Sequence, residues 1–90
     1  MTTTAVFYTA RARKDLQKLE TSTSRRIEEK ISRFAMMSDP LAEAKPLQGQ
    51  FTGLYRYRVG DYRAIFSIDN NGVVVLLTIL TIKHRKDIYR

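Results

Sequence analysis

Leu54-Tyr55-Arg56-Tyr57-Arg58-Val59-Gly60-Asp61-Tyr62-Arg63-Ala64-Ile65-Phe66 is the stretch that decides the fold. On each side of Gly60-Asp61 the side chains alternate with a period of two, the period of a strand. Gly60-Asp61 is a good two-residue hairpin turn, so Leu54 to Val59 and Tyr62 to Ile68 are expected to pair as antiparallel strands. With that loop Val59 faces Tyr62, Tyr57 faces Ala64 and Tyr55 faces Phe66. All six lie on one side of the sheet, the core side. On the other side Arg58 faces Arg63, and Arg56 stands beside them opposite Ile65.

Outward toward the C-terminus, Asn70-Asn71-Gly72 is a second turn signal. Val73 to Ile82 then reads as a long, nearly all-apolar strand, expected to be central and covered on both faces. It runs antiparallel to Tyr62–Ile68. The segment Lys83-His84-Arg85-Lys86-Asp87-Ile88-Tyr89-Arg90 should therefore emerge beside the Gly60-Asp61 turn.

Outward toward the N-terminus, residues 40–53 are punctuated by Pro40, Pro46, Gly49 and Gly53 and read as a loop. Before it, Ile27, Ile31, Phe34 and Ala35 repeat at helical spacing, and Asp39-Pro40 ends that helix. Thr21-Ser22-Thr23-Ser24 is read as the break before it. An earlier helix, Ala10 to about Glu20, carries Ala12, Leu16 and Leu19 on one stripe, with Thr9 as its N-cap. Thr4 to Tyr8 is a short first strand. The order is β-α-α-β-β-β. The expected fold is α+β: an antiparallel-rich four-stranded sheet with a helix hairpin packed on one face, in a single domain over residues 1–90.

The chain has no cysteine, which excludes a disulfide scaffold and a thiolate nucleophile or metal site. Met1-Thr2-Thr3-Thr4 lacks the basic start of a secretory signal, and no apolar run reaches membrane-spanning length, so a cytoplasmic protein without a membrane partner is expected. A net charge of +7 on 90 residues favours a polyanionic partner. Like charges directly opposed, as Arg58 and Arg63 are, disfavour the sheet unless an anion lies between them. Guanidinium forks suit phosphate oxygens. A solvated basic face accounts for these three arginines equally well. The tail shifts the balance, because it brings Lys83, Arg85, the only histidine, His84, and the ring of Tyr89 to the same place. Cations for phosphates and a ring for a base are what single-stranded RNA recognition needs. The acids of the C-terminal half, Asp61, Asp69 and Asp87, are scattered, so neither a metal nor another cofactor is expected.

Leu47-Gln48-Gly49, the hairpin from Gly53 to Phe66 and the closing Lys83–Arg90 segment resemble the RelE/ParE toxin superfamily. The resemblance extends over essentially the whole chain. It implies the RelE-like fold and a bacterial type II toxin neutralised by a cognate antitoxin, through which the complex binds operator DNA. RelE-type members are ribosome-dependent endoribonucleases that cut mRNA in the 30S A site, and they inhibit translation. ParE-type members poison DNA gyrase instead. The RelE-type working residues carry over onto Arg56, Arg58 and Arg63, then Lys83 or Arg85, then Tyr89, with His84 added for its natural pKa. The match favours the nuclease, acting by metal-independent attack of the RNA 2′-hydroxyl on the adjacent phosphate. The alternatives are a gyrase inhibitor, or a degenerate toxin that acts only as an antitoxin-binding co-repressor. The family's type member has lysines where this chain has Arg56 and Arg58. Arginine is effectively always protonated, which takes these two out of the running as general bases.

Overall fold

The computed structural model describes the backbone of residues 4–88 and the side chains of residues 4–86. The order is β1 (Ala5–Tyr8), α1 (Ala10–Gln17), α2 (Thr21–Ala35), β2 (Ala44–Pro46), β3 (Tyr55–Val59), β4 (Tyr62–Asn70), β5 (Val74–His84) and a closing helical turn, α3 (Arg85–Ile88). One sheet forms with strand order β1-β5-β4-β3-β2. β1 is parallel to β5 and every other pairing is antiparallel. The α+β reading holds, but the sheet has five strands and not the expected four. The additional strand lies in the expected loop, where Ala44, Lys45 and Pro46 pair with Tyr57, Arg56 and Tyr55. Three residues ending in proline carry no alternation to read. Proline lacks an N–H and is tolerated because β2 is an edge strand.

Only the first helix starts on a side-chain cap. Thr9 Oγ1 accepts from the Ala12 N–H at 3.1 Å, the N-cap bond expected for α1. The Thr21–Ser24 run, expected as a break, instead forms the first turn of α2, with Glu20 as an N-cap that makes no side-chain capping bond. Ser24 Oγ donates to the Leu16 carbonyl at 2.6 Å and so binds the two helices together.

Ala12, Leu16, Ile27, Ile31 and Ala35 from the helices meet Tyr57, Val59, Ala64, Phe66, Leu77, Ile79 and Ile82 from the sheet in one core. Within it the Tyr57 ring lies 4.3 Å from Phe66 and 4.8 Å from Phe34, centroid to centroid. The Tyr57 hydroxyl donates to the Pro40 carbonyl at 2.5 Å. Burial, with the Asp39 charge second, pushes its pKa up to about 12, so the ring stays neutral and structural.

β5 is central, between β1 and β4, as expected. The expectation that both its faces are covered is corrected: α1 and α2 pack on the side of Tyr57, Phe66 and Ile79, and half-buried Leu76 and Leu80 lie outside the core cluster. The register explains the all-apolar run. Ile65 pairs with Thr81 but Phe66 with Ile79, and Asp69 pairs with Leu76 but Asn70 with Val74. Leu80 and Val75 are therefore bulge residues, and the core positions fall at Val74, Leu77, Ile79 and Ile82. No helix among the described residues is long and apolar enough to cross a membrane.

Candidate nucleic-acid interface

The hairpin register is the one expected: Arg58 faces Arg63, Arg56 faces Ile65 and Tyr57 faces Ala64. The next strand extends it, since Arg63 also pairs with Lys83. Residues directly paired across strands share a face, so Arg58, Arg63 and Lys83 form one row across β3, β4 and β5. Ala64 and Ile82, their neighbours in sequence, point into the core. The row is therefore on the face away from the helices. A second row begins on the edge strand, where Lys45 pairs with Arg56. Side chains in a row are spaced by the roughly 4.8 Å between strands, and the two rows by the roughly 7 Å of two strand residues. Exposed Lys45 was missed in the sequence because its strand was; the basic type was visible but not its register.

Arg63 is only 5% exposed. Its nearest hydrogen-bond acceptor is the Tyr62 carbonyl, at a long 3.4 Å from Nη1. The ion pairs among the described residues are Arg11–Asp15 at 3.5 Å and Arg85–Asp61 at 3.8 Å, and neither touches the row. A guanidinium drawn mostly out of water without a carboxylate beside it is disfavoured relative to a solvated or paired one. Two neighbouring cations in register add repulsion. An anion set between the cations would offset that repulsion.

The tail emerges where strand direction places it. The Arg85 N–H donates to the Asp61 carbonyl at 2.7 Å, and the Arg85 guanidinium faces the Asp61 carboxylate. On the other side of that turn Gly60 has φ +59, and a Cβ there would lie 2.5 Å from the Arg26 guanidinium. The hairpin tip is thus held between α2 and the tail. Of the two tail cations, Lys83 stands in the row and Arg85 stands at the turn beside Asp61. His84 pairs with Tyr62, one residue out of phase with the row, and so belongs to the opposite side of the sheet. Its ring meets Tyr62 edge-on at 5.2 Å, and its Nδ1 accepts from the Lys86 N–H at 3.2 Å. In the neutral ring the proton therefore sits on Nε2. Tyr89 lies outside the described residues. The structure thus brings Arg56, Arg58, Arg63 and Lys83 together, adds Lys45, and separates Arg85 and His84 from them.

One acid controls the end of β5. Asp15 of α1, 13% exposed in its side chain, accepts from Thr81 Oγ1 at 2.6 Å and from the Ile82 N–H at 3.0 Å. Burial works against its charge, but those two bonds and the Arg11 guanidinium outweigh it and hold the carboxyl below the usual carboxylate value. Pairing of β1 with β5 ends at Tyr8 and Ile79, so the Ile82 N–H lies on a strand edge, and Asp15 satisfies it there. Sequence pattern offered no signal for this contact, which joins residues 66 apart in the chain.

Chemically, guanidiniums hold phosphate oxygens in planar forks and stabilise charge that develops on them. They do not exchange protons. Lys83 is the one member of the Arg58–Arg63–Lys83 row whose side chain can. Among the described residues no group of three His, Asp or Glu side chains gathers to hold a metal ion.

Comparison with known proteins agrees with this fold. The family described as the ParE toxin of the type II toxin–antitoxin system, parDE, matches residues 6–89. Toxin RelG of Mycobacterium tuberculosis is 38% identical over 88 residues, covering 94% of each chain. In the RelBE2 toxin–antitoxin complex from Mycobacterium tuberculosis, one chain superposes with a TM-score of 0.76 at 32% identity, covering 94% of both chains. The archaeal RelE–RelB complex from Pyrococcus horikoshii gives a TM-score of 0.70 at 32% identity, covering 92% of this chain and 96% of that one.

Proposed function

This chain belongs to the RelE/ParE superfamily of type II toxins, and from that premise we propose that it is a ribosome-dependent endoribonuclease that cuts mRNA in the 30S A site. The observation that carries the reading is the row Arg58–Arg63–Lys83, with Arg63 buried and facing no carboxylate among the described residues. Arg58 and Arg63 grip the non-bridging oxygens of the scissile phosphate, and Arg56 holds the adjoining backbone. The 2′-hydroxyl oxygen bonds to phosphorus as its proton passes to solvent water, the bond from phosphorus to the 5′ oxygen breaks as that oxygen takes a proton, and a 2′,3′-cyclic phosphate and a 5′-hydroxyl result. Negative charge rises on the phosphate oxygens and then on the departing 5′ oxygen. The arginines offset the first, and Lys83 offsets the second and can deliver its proton. Register supports Lys83 over Arg85 for that role, and it supports no contact of His84 with the phosphate. Tyr89 orients the nucleotide by stacking.

The partner is an acidic or amphipathic antitoxin that masks the basic face. The complexes named above, RelBE2 and archaeal RelE–RelB, support such a partner. Operator DNA is bound through the antitoxin, and the toxin works in the cytoplasm, where ribosomes are. The test is cleavage of an mRNA on purified ribosomes, with the fragment ends analysed. A 2′,3′-cyclic phosphate upstream and a 5′-hydroxyl downstream are expected, with EDTA leaving the chemical step intact on ribosomes shown to stay assembled. Loss of cleavage under those conditions would count against the metal-free route. The ParE description of the matched family favours one second reading, inhibition of DNA gyrase. Intact transcripts with trapped DNA breaks would support it.

A further inference from the structure

A cleft of about 290 Å³ opens between α1 and the free end of β5, on the side of the sheet away from the cationic row. It exists because β1 stops pairing at Ile79 while β5 continues to His84, so α1 covers the last residues of β5 and not a strand. Asp15 forms the inner wall, with its carboxylate committed to Thr81, the Ile82 N–H and Arg11. The rest of the wall sets apolar Leu19 and Ile82 beside basic and aromatic groups: Arg11 from α1 and Lys18 at its C-cap, Lys83 and His84 from β5, and Tyr62 from β4. Arg11 and Lys18 are seven residues apart and so lie on one face of the helix. Lys83 is shared, being both the last member of the cationic row and part of the cleft wall.

We propose that this cleft is a subsite for one nucleotide of single-stranded RNA, the one adjoining the phosphate held by Arg58, Arg63 and Lys83. The inference rests on reading that row as an RNA-phosphate site. A strand laid across β3, β4 and β5 leaves the sheet at Lys83, and the cleft is what it meets there. The His84 and Tyr62 rings, already edge-to-face, offer π-surface to a base, and Lys18 offers a charge to the next phosphate. The volume is at the lower end for small-ligand pockets, which suits one nucleotide and not a helix of a partner protein. The same geometry gives His84 a role of its own, since it contacts a base and takes no part in proton transfer.

The experiment measures binding of a fluorescein-labelled single-stranded RNA hexamer by anisotropy as salt is varied. The hexamer is 2′-O-methylated and so cannot be cut. Variants are Lys18→Ala, His84→Ala, His84→Phe and the pair Arg58→Ala/Arg63→Ala, each checked for unchanged circular dichroism and thermal melting. His84→Ala is expected to weaken binding about fivefold or more, the scale of one lost stacking contact, and His84→Phe to retain it. Lys18→Ala, on an exposed position that does not threaten folding, should lower the salt slope by about one contact. If only the arginine pair weakens binding, the cleft takes no nucleotide and the inference falls while the proposed function stands. If no variant weakens binding, the proposed function fails with it. If the cleft variants weaken only the antitoxin complex, the cleft is a protein-docking site and the inference is again overturned.

Discussion

Arg63 is the single residue whose placement says most about function. An arginine only 5% exposed, with no acidic partner among the described side chains, does not serve stability. Replacing a buried charge by an apolar side chain of similar length is often neutral or stabilising. Arg63→Met is therefore expected to leave urea-denaturation stability unchanged or raised by about 1–2 kcal/mol, while mRNA cleavage falls by about 100-fold or more, as for loss of a transition-state charge contact. A clear loss of stability would show that Arg63 holds the fold instead. Tyr57 gives the opposite case. Tyr57→Phe leaves the Pro40 carbonyl without its donor and should cost about 1–3 kcal/mol, with cleavage unaffected at temperatures where the protein stays folded. Asp15 adds a pH dependence of defined sign. Its folded-state pKa is depressed, so its stabilisation is complete above the ordinary carboxylate value of 3.8 and is lost as the pH falls through its lower folded value. Asp15→Asn should flatten that acid limb of a melting-temperature profile.

Among the elements, the β3–β4 hairpin was the most legible in sequence and β5 the least. Alternation around Gly60-Asp61 is uninterrupted, so the pairing of Arg58 with Arg63 could be read residue by residue. In β5 two bulges move the core positions to spacings of three, two and three, which erases alternation and imitates a doubly covered strand. β2 was too short to show a period, and Lys45 was hidden with it. Thr21–Ser24 carries residues that cap helices and also tolerate a first turn, and packing of Ser24 on the Leu16 carbonyl chose the turn. The hairpin tip yields its own prediction. Gly60 holds a left-handed conformation, and the Arg26 guanidinium fills the place a Cβ would take. Gly60→Ala should destabilise by about 1–2 kcal/mol from backbone strain alone, and more with Arg26 present. Arg26→Ala added to it should restore part of the loss, a coupling that a double-mutant cycle in urea measures.

At the scale of the whole molecule the design is one-sided. Two helices protect one face of the sheet, and the opposite face carries Lys45, Arg56, Arg58, Arg63 and Lys83 in two rows. The net charge of +7 favours a polyanionic partner without placing its charges; strand direction and register gather five of the cations on one face. What sequence could not resolve was the choice between Lys83 and Arg85, because it depends on alternation persisting past Ile82, and it does, to His84. The central claim is that the cationic row cuts translated mRNA. Its most direct test is induction of the toxin without antitoxin, followed by transcriptome-wide mapping of mRNA 5′ ends. Cuts confined to translated regions are predicted, and the Arg58→Ala/Arg63→Ala variant, shown to be folded, should make none. Arrested growth with uncut transcripts, or cuts that persist in that variant, would contradict the account.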